Sequence, residues 1–66
     1  MNPHILTLRT RAGAQVHVLP SRRAARVPLE ERLSGSPRGV RALARLLAGE
    51  VERVTVGSLS IQLEIA

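Results

Sequence analysis

Along the first 19 residues, apolar and polar side chains alternate with the period of a half-buried β-strand. The pattern predicts strands over residues 4–9 and 14–19, joined by a three-residue loop. That loop ends at Gly13, where a hairpin of this kind needs a positive φ. The register that follows places four apolar side chains on one face of the hairpin: Leu6, Leu8, Val16 and Val18.

The stretch from residue 20 to residue 35 is rich in arginine and predicts a connector with one short helix. Pro20 ends the second strand, because proline cannot donate a hydrogen bond to a sheet. Residues 21–26 have no strong period and are interpreted as a loop or one helical turn. Pro28 suits a first helical position, and Gly35 suits a helix stop. The short helix between them would carry its apolar side chains at Leu29 and Leu33.

A second, better-defined helix is predicted over residues 36–48. Ser36 supplies an N-cap oxygen, Pro37 fits the first helical position and Gly49 follows as a C-cap. The helical period predicts a buried stripe of Val40, Leu43, Ala44 and Leu47. The opposite side would carry Arg38, Arg41 and Arg45. A helix this short is not stable in isolation, so it must pack on another element.

Residues 50–56 and 59–65 predict a second hairpin around Gly57 and Ser58. Glycine at the first central position suits a type II′ turn, which is common in two-residue hairpin loops. The last strand alternates strictly between apolar and polar residues, and we interpret its inward positions as a core and interface strand: Leu59, Ile61, Leu63 and Ile65.

The pairing within this second hairpin is consistent near the turn and inconsistent at the base. Val54 faces Ile61, and both are apolar, whereas the same register sets Glu52 opposite Leu63. A bulge near Val51, or fraying of the strand, would relieve the conflict.

Together these elements predict an α+β fold, with one small ββ(α)αββ domain over residues 1–66. One main helix packs on a mostly antiparallel four-stranded sheet, with one sheet face buried and the other solvated. The parts are an N-terminal hairpin, an arginine-rich connector with a short helix, the main helix and a C-terminal hairpin: 4–19, 20–35, 36–48 and 50–66. We expect the last strand to leave a sheet edge open for pairing.

Composition predicts a small core that would gain from a partner. The chain has 66 residues, no cysteine and no aromatic residue, so the core must be built from Leu, Ile and Val without disulfides. A chain of this size buries only about 60 % of the surface that its unfolded form exposes. We therefore expect self-association, or docking in a larger complex, through the apolar hairpins and a sheet edge.

Most side chains used in catalysis are missing. Asp, Cys, Lys and Tyr are absent, and the five serines fall in turns, caps or strand surfaces without an adjacent base. His4 and His17 are expected on opposite faces of the first hairpin, which makes a poor metal site. We therefore predict a non-enzymatic protein with no catalytic, cofactor-binding or metal-binding residues and no small-molecule substrate.

The sequence also predicts a protein without a membrane partner. No apolar run approaches the roughly 20 residues that a membrane-spanning helix needs. The N-terminal residues lack the basic start, apolar run and cleavage site of a signal peptide. We therefore expect a cytoplasmic location.

The net charge of +5 comes from ten arginines against five glutamates. Residues 20–45 hold seven arginines and two glutamates, whereas residues 46–66 hold one arginine and three glutamates. Arginine binds carboxylates and phosphates through two parallel hydrogen bonds. The candidate binding residues for a partner or a phosphate are therefore Arg22, Arg23, Arg26, Arg38, Arg41 and Arg45. The alternative interpretation of these side chains is an ordinary solvated helix face.

The leading hypothesis is an assembly module that acts as a homo-oligomer or binds a protein partner. The alternative is a small basic DNA-binding protein that contacts duplex phosphates with the Arg22–Arg45 region. The lack of aromatic side chains argues against base stacking, and so against single-stranded ligands.

Overall fold

The computed structural model describes residues 2–65 and confirms the α+β fold. Four strands form one antiparallel sheet, and two helices pack on one of its faces. A 3₁₀ turn at Arg23–Ala25 leads into the first helix. In chain order the elements are β1 (His4–Thr10), β2 (Gly13–Leu19), α1 (Arg26–Leu33), α2 (Pro37–Leu47), β3 (Arg53–Val56) and β4 (Leu59–Ile65).

The strand order is β2-β1-β4-β3, so the first and last strands lie at the centre of the sheet. Leu6 of β1 faces Leu63 of β4, and Leu8 faces Ile61, and all four side chains are buried. The expectation that β4 leaves an open edge is therefore wrong. β1 carries apolar side chains at the same alternate positions as β4, so the two strands bury one another, and β2 and β3 become the edges.

The predicted register of the first hairpin is wrong by one residue. Thr10 pairs with Gly13, so Thr7 faces Val16 and Ile5 faces Val18 on the sheet face that the helices do not cover. The prediction assumed that β2 supplies the apolar partners of the buried β1 side chains, whereas β4 supplies them. Gly13 does take a positive φ, of +138°.

The second hairpin has the predicted register near its turn, and Val54 faces Ile61. Gly57, the first central residue of the turn, has a φ of +61°. No residue other than glycine has a positive φ among residues 2–65, so the φ of Ser58 is negative, and this combination is the one that a type II′ turn requires. β3 begins at Arg53 rather than at residue 50, so the strand does not include Glu52, the residue whose pairing raised a conflict. There the Leu63 amide donates to the Glu52 carbonyl at 2.8 Å, and the Glu52 side chain stays exposed.

The short helix α1 starts earlier than the sequence predicts. It begins at Arg26 rather than near Pro28, because the 3₁₀ turn before it is continuous with the helix. Pro28 is the third helical residue, where a backbone N–H has no partner within the helix, so proline removes no helical hydrogen bond. Leu29 and Leu33 are buried, as the spacing predicted.

Helix α2 begins as predicted, but a different side of it is buried. The Gly39 amide donates to the Ser36 side-chain oxygen at 3.1 Å, which confirms the N-cap. The buried residues are Gly39, Ala42 and Leu46, while Leu43 and Leu47 are half-buried. The predicted stripe is thus rotated by about one residue, and Val40, which is 51 % exposed, and Ala44 point to solvent.

Close packing of α1 on α2 explains this rotation. An ideal Cβ built on Gly39 would lie 2.9 Å from the Leu33 Cα and carbonyl carbon, closer than real Cβ contacts, and would overlap the Leu33 carbonyl oxygen. Only glycine lets the two backbones approach this far. The side of α2 that carries Gly39, Ala42 and Leu46 therefore faces α1 and the sheet, and Leu43 and Leu47 pack at its margin.

The core beneath the helices is made of aliphatic side chains alone, as the composition required. It joins both layers of the fold and consists of Leu6, Leu8, Ala25, Leu29, Leu33, Leu46, Ile61 and Leu63. No helix within residues 2–65 is long and apolar enough to cross a membrane.

Replacing Gly39 with alanine tests the close helix contact. We expect Gly39→Ala to lower the free energy of unfolding by about 1–3 kcal/mol, because the added methyl group overpacks the α1–α2 contact. Intrinsic helix propensity acts the other way, by about 1 kcal/mol. Urea unfolding followed by far-UV circular dichroism measures the difference.

Gly35→Ala is the matched control, since a Cβ at Gly35 meets nothing within 4 Å and the residue has no positive φ. A Gly39→Ala protein as stable as the Gly35→Ala protein would show that the helices do not need this contact.

Candidate interaction surfaces

The sheet face away from the helices carries an apolar patch beside one edge. Val16 and Val18 of β2 are 63 % and 71 % exposed, and both point to this open face. Ile5 of the neighbouring strand lies beside Val18 and is half-buried. We call these three side chains the valine patch. The corrected register of the first hairpin creates it, because the predicted register had turned both valines inward.

Strand β2 is also the long free edge of the sheet. It has seven residues, and it is the only strand within residues 2–65 without Arg or Glu: β1 carries Arg9, β3 carries Arg53 and β4 carries Glu64. Natural edge strands are commonly protected by charge, proline or shortness. β2 has none of these until Pro20 follows it.

Away from the valine patch, the open face is polar. Ser60 and Gln62 of β4 lie between Arg9 and Thr7 on one side and Thr55 and Arg53 on the other. The Arg53 Nη2 atom donates to the Gln62 Oε1 atom at 3.5 Å. The apolar part of this face is thus confined to the β1–β2 side.

Four arginines line a groove between α2 and the other sheet edge, β3. Its volume is about 400 Å³, and Ala42, Val51, Val54, Thr55 and Val56 complete the lining. The charged members are all exposed: Arg38, Arg41, Arg45 and Arg53. Arg53 only borders the groove, because its side chain lies on the open face and donates to Gln62 there. The structure therefore brings the three predicted arginines of α2 together, and we call the surface that they form the arginine groove.

Sequence reasoning missed Arg53. It lies in the segment 46–66, whose charge is net negative, and only the packing of β3 beside α2 places it at the border of the groove. The only sequence signal for Arg53 was that it begins the strand that comes next after α2 in the chain.

No carboxylate neutralises the arginine groove. Within residues 2–65 the one ion pair joins Arg26 Nε to Glu30 Oε2 at 3.5 Å, on the exposed surface of α1. The three arginines of the groove are therefore exposed to solvent without a carboxylate partner.

The remaining predicted arginines do not belong to that surface. Arg22 is half-buried, and its Nη1 atom donates to the Leu46 carbonyl at 3.0 Å, near the end of α2. Carbonyls in the last turn of a helix lack partners within the helix, and a cation there is favourable. Arg26 is paired with Glu30, and Arg23 is exposed on the 3₁₀ turn. Arg22 thus stabilises the fold, and the six predicted arginines do not form one site.

The predicted core and interface strand serves mainly as core. Ile61 and Leu63 are completely buried at the centre of the sheet, Leu59 is half-buried, and Ile65 is 57 % exposed at the end of the strand.

The corrected register also moves the histidines. His4 faces Leu19 and His17 faces Leu6, so both side chains lie diagonally on the helix-covered face rather than on opposite faces. His4 Nδ1 is buried without a hydrogen-bond partner among residues 2–65. Over the same residues no three potential metal ligands lie together.

Replacing Arg22 tests its structural role. We expect Arg22→Met to lower the free energy of unfolding by about 1–2 kcal/mol, because a partly buried hydrogen bond from a charged donor is lost. Arg23→Met is the matched control, with an expected change within about 0.5 kcal/mol, since Arg23 is exposed. Equal stability of the two variants in urea would contradict the assigned role.

Comparisons with other proteins do not add to this picture. No protein-family model, curated protein or solved structure matches the chain. Its function must therefore be inferred from the two surfaces that its own fold presents, the β2 edge with the valine patch and the arginine groove.

Proposed function

We propose that this protein is a non-enzymatic assembly module that binds a second copy of itself through strand β2. The observation that carries the proposal is a seven-residue edge strand without charge, whose two outward valines are more than 60 % exposed. Such an edge presents unpaired N–H and C=O groups that favour pairing with another strand. A cytoplasmic location and the lack of enzymatic activity stay predictions.

The sequence of β2 suits pairing with its own copy. In an antiparallel pair related by a two-fold axis, the middle residue of Gly13–Leu19 faces itself, and that residue is Val16. Val18 then faces Ala14 on the open face, and Gln15 faces His17 on the covered face. The valine patches of the two copies become one continuous apolar strip across the axis.

Charge favours β2 over the other edge. A two-fold contact brings each charged side chain near its own copy, and like charges directly opposite one another destabilise a sheet. Strand β3 has only four residues and begins with Arg53 beside the arginine groove, so its self-pairing would bring like charges together. Strand β2 itself carries no Arg or Glu, so no charged side chain of the strand meets its own copy.

The dimer would also relieve the weakness of the isolated fold. A small core without aromatic side chains or disulfides leaves a marginal free energy of folding. Binding a second copy adds stability by mass action, and it removes exposed valine surface from water. The resulting sheet has eight strands with β3 at each end.

A charge at the two-fold axis should separate the copies. We expect sedimentation equilibrium to show a dimer of the wild-type chain and a dissociation constant at least tenfold higher for Val16→Glu. The two carboxylates would face one another and would replace two valines that contact each other across the axis. Interference optics are needed, because the chain has no aromatic residue to absorb light.

The matched control is Val27→Glu, which makes the same change of charge at a valine that is 79 % exposed on α1. It should dimerise like the wild type. A monomeric wild-type chain up to millimolar concentration, or equal weakening by both substitutions, would disprove the proposed interface. Circular dichroism establishes that each variant is folded.

Cross-linking tests the register itself. The chain has no cysteine, so Val16→Cys introduces a single thiol. Across the proposed axis the two Cα atoms of residue 16 would lie about 4.5–5.5 Å apart, a separation that a disulfide accepts. We therefore expect rapid formation of a disulfide-linked dimer under mild oxidation, measured on a non-reducing gel.

Val18→Cys, which would face Ala14 rather than its own copy, should cross-link much more slowly. Faster cross-linking of Val18→Cys than of Val16→Cys would exclude the register centred on residue 16.

A further inference from the structure

We infer that the arginine groove binds the phosphate backbone of duplex nucleic acid. Its three arginines come from one flank of α2, and the lining contains no acidic side chain. The inference uses the sheet edge opposite to β2, so it does not depend on self-association.

The spacing of the arginines fits a repeating anion. Arg38, Arg41 and Arg45 follow one another along the helix at intervals of three and four residues. With a rise of about 1.5 Å per residue, they form a row about 10 Å long. A single small anion would contact one or two guanidinium groups, whereas a row of this length can follow several consecutive phosphates. Each guanidinium can donate two parallel hydrogen bonds to a phosphate.

The shape of α2 permits close approach to a duplex. The other exposed side chains of α2 and its C-cap are small, at Pro37, Val40, Ala44 and Ala48. A helix with such a surface enters a DNA major groove, which is about 12 Å wide, while longer flanking side chains reach the phosphates. Helix α1, a turn containing Gly35 and α2 follow one another in the order of helix-turn-helix proteins, in which the second helix enters the groove.

Other polyanions fit these features less well. Single-stranded nucleic acid is held largely by stacking on aromatic side chains, and this chain has none. An acidic peptide that adds a strand to β3 would find an edge of only four residues, which begins with a charge. The exposed row on α2 is available to a rigid duplex without any such pairing.

Salt dependence measures the number of phosphates engaged. We expect a fluorescein-labelled 20-base-pair duplex to bind the wild-type protein with a slope of log K against log salt of about −2.7 per protomer, at about 0.9 for each of three phosphate contacts. The triple variant Arg38→Gln, Arg41→Gln and Arg45→Gln should bind at least tenfold more weakly at low salt, with a slope near zero. Fluorescence anisotropy gives both quantities.

The matched control removes three exposed arginines elsewhere: Arg9→Gln, Arg11→Gln and Arg32→Gln. It lowers the net charge by the same amount and should keep the wild-type slope. Equal losses in both triple variants would show that net charge alone attracts the duplex, and would overturn the groove as a site.

Two further probes test the choice of ligand. A labelled single strand of the same length, and a labelled polyglutamate of matched charge, should each bind more weakly than the duplex. Tighter binding of the single strand would overturn duplex recognition. Tighter binding of polyglutamate, abolished by the α2 triple variant, would reassign the groove to an acidic protein. Circular dichroism and urea unfolding establish that both triple variants are folded.

Discussion

The pairing of β1 with β4 is the contact on which the rest of this structure depends. It joins the two ends of the chain at the centre of the sheet, along six consecutive residue pairs. The four side chains that face one another there form the floor of the core, and Leu29, Leu33 and Leu46 of the helices cover it. Because the two central places are taken, the two hairpins can only extend the sheet outward, which makes β2 and β3 its edges.

The two edges that result differ in character. β2 is long, neutral and bordered by exposed valines, whereas β3 is short and bordered by the arginines of α2. An apolar strip with free backbone groups favours another strand, and a row of unpaired cations favours a polymeric anion. Because the edges lie on opposite sides of the sheet, one partner would leave the other site accessible. A single small domain thus presents two surfaces that favour different kinds of partner.

Local patterns in the sequence predicted the elements that local forces determine. The Ser36 cap, the stop of α2 before Gly49 and the pairing of Val54 with Ile61 each depend on residues close together in the chain. Helix capping and turn geometry act over a few residues, so a sequence pattern is sufficient to predict them. The fold class followed from the order of these elements.

The errors concern contacts between separate elements of the fold. The register of β2 could not be predicted because it depends on which strand covers the other side of β1. The buried side of α2 could not be predicted from apolar spacing, since the contact of Gly39 with Leu33 sets the helix rotation. Arg53 borders the arginine groove only through tertiary packing. In each case a tertiary contact outweighed a local pattern, and the candidate sites lie where this happened.

The central position of β4 also has a consequence for the order of folding. β4 is the last strand along the chain, so β1 has no central partner until nearly all of residues 2–65 have been synthesised. Contacts between residues this far apart in sequence slow folding, because the loop between them must close first. On the ribosome, Leu6 and Leu8 would therefore stay uncovered longer than any other core side chains, because they precede all of them in the chain and wait for β4.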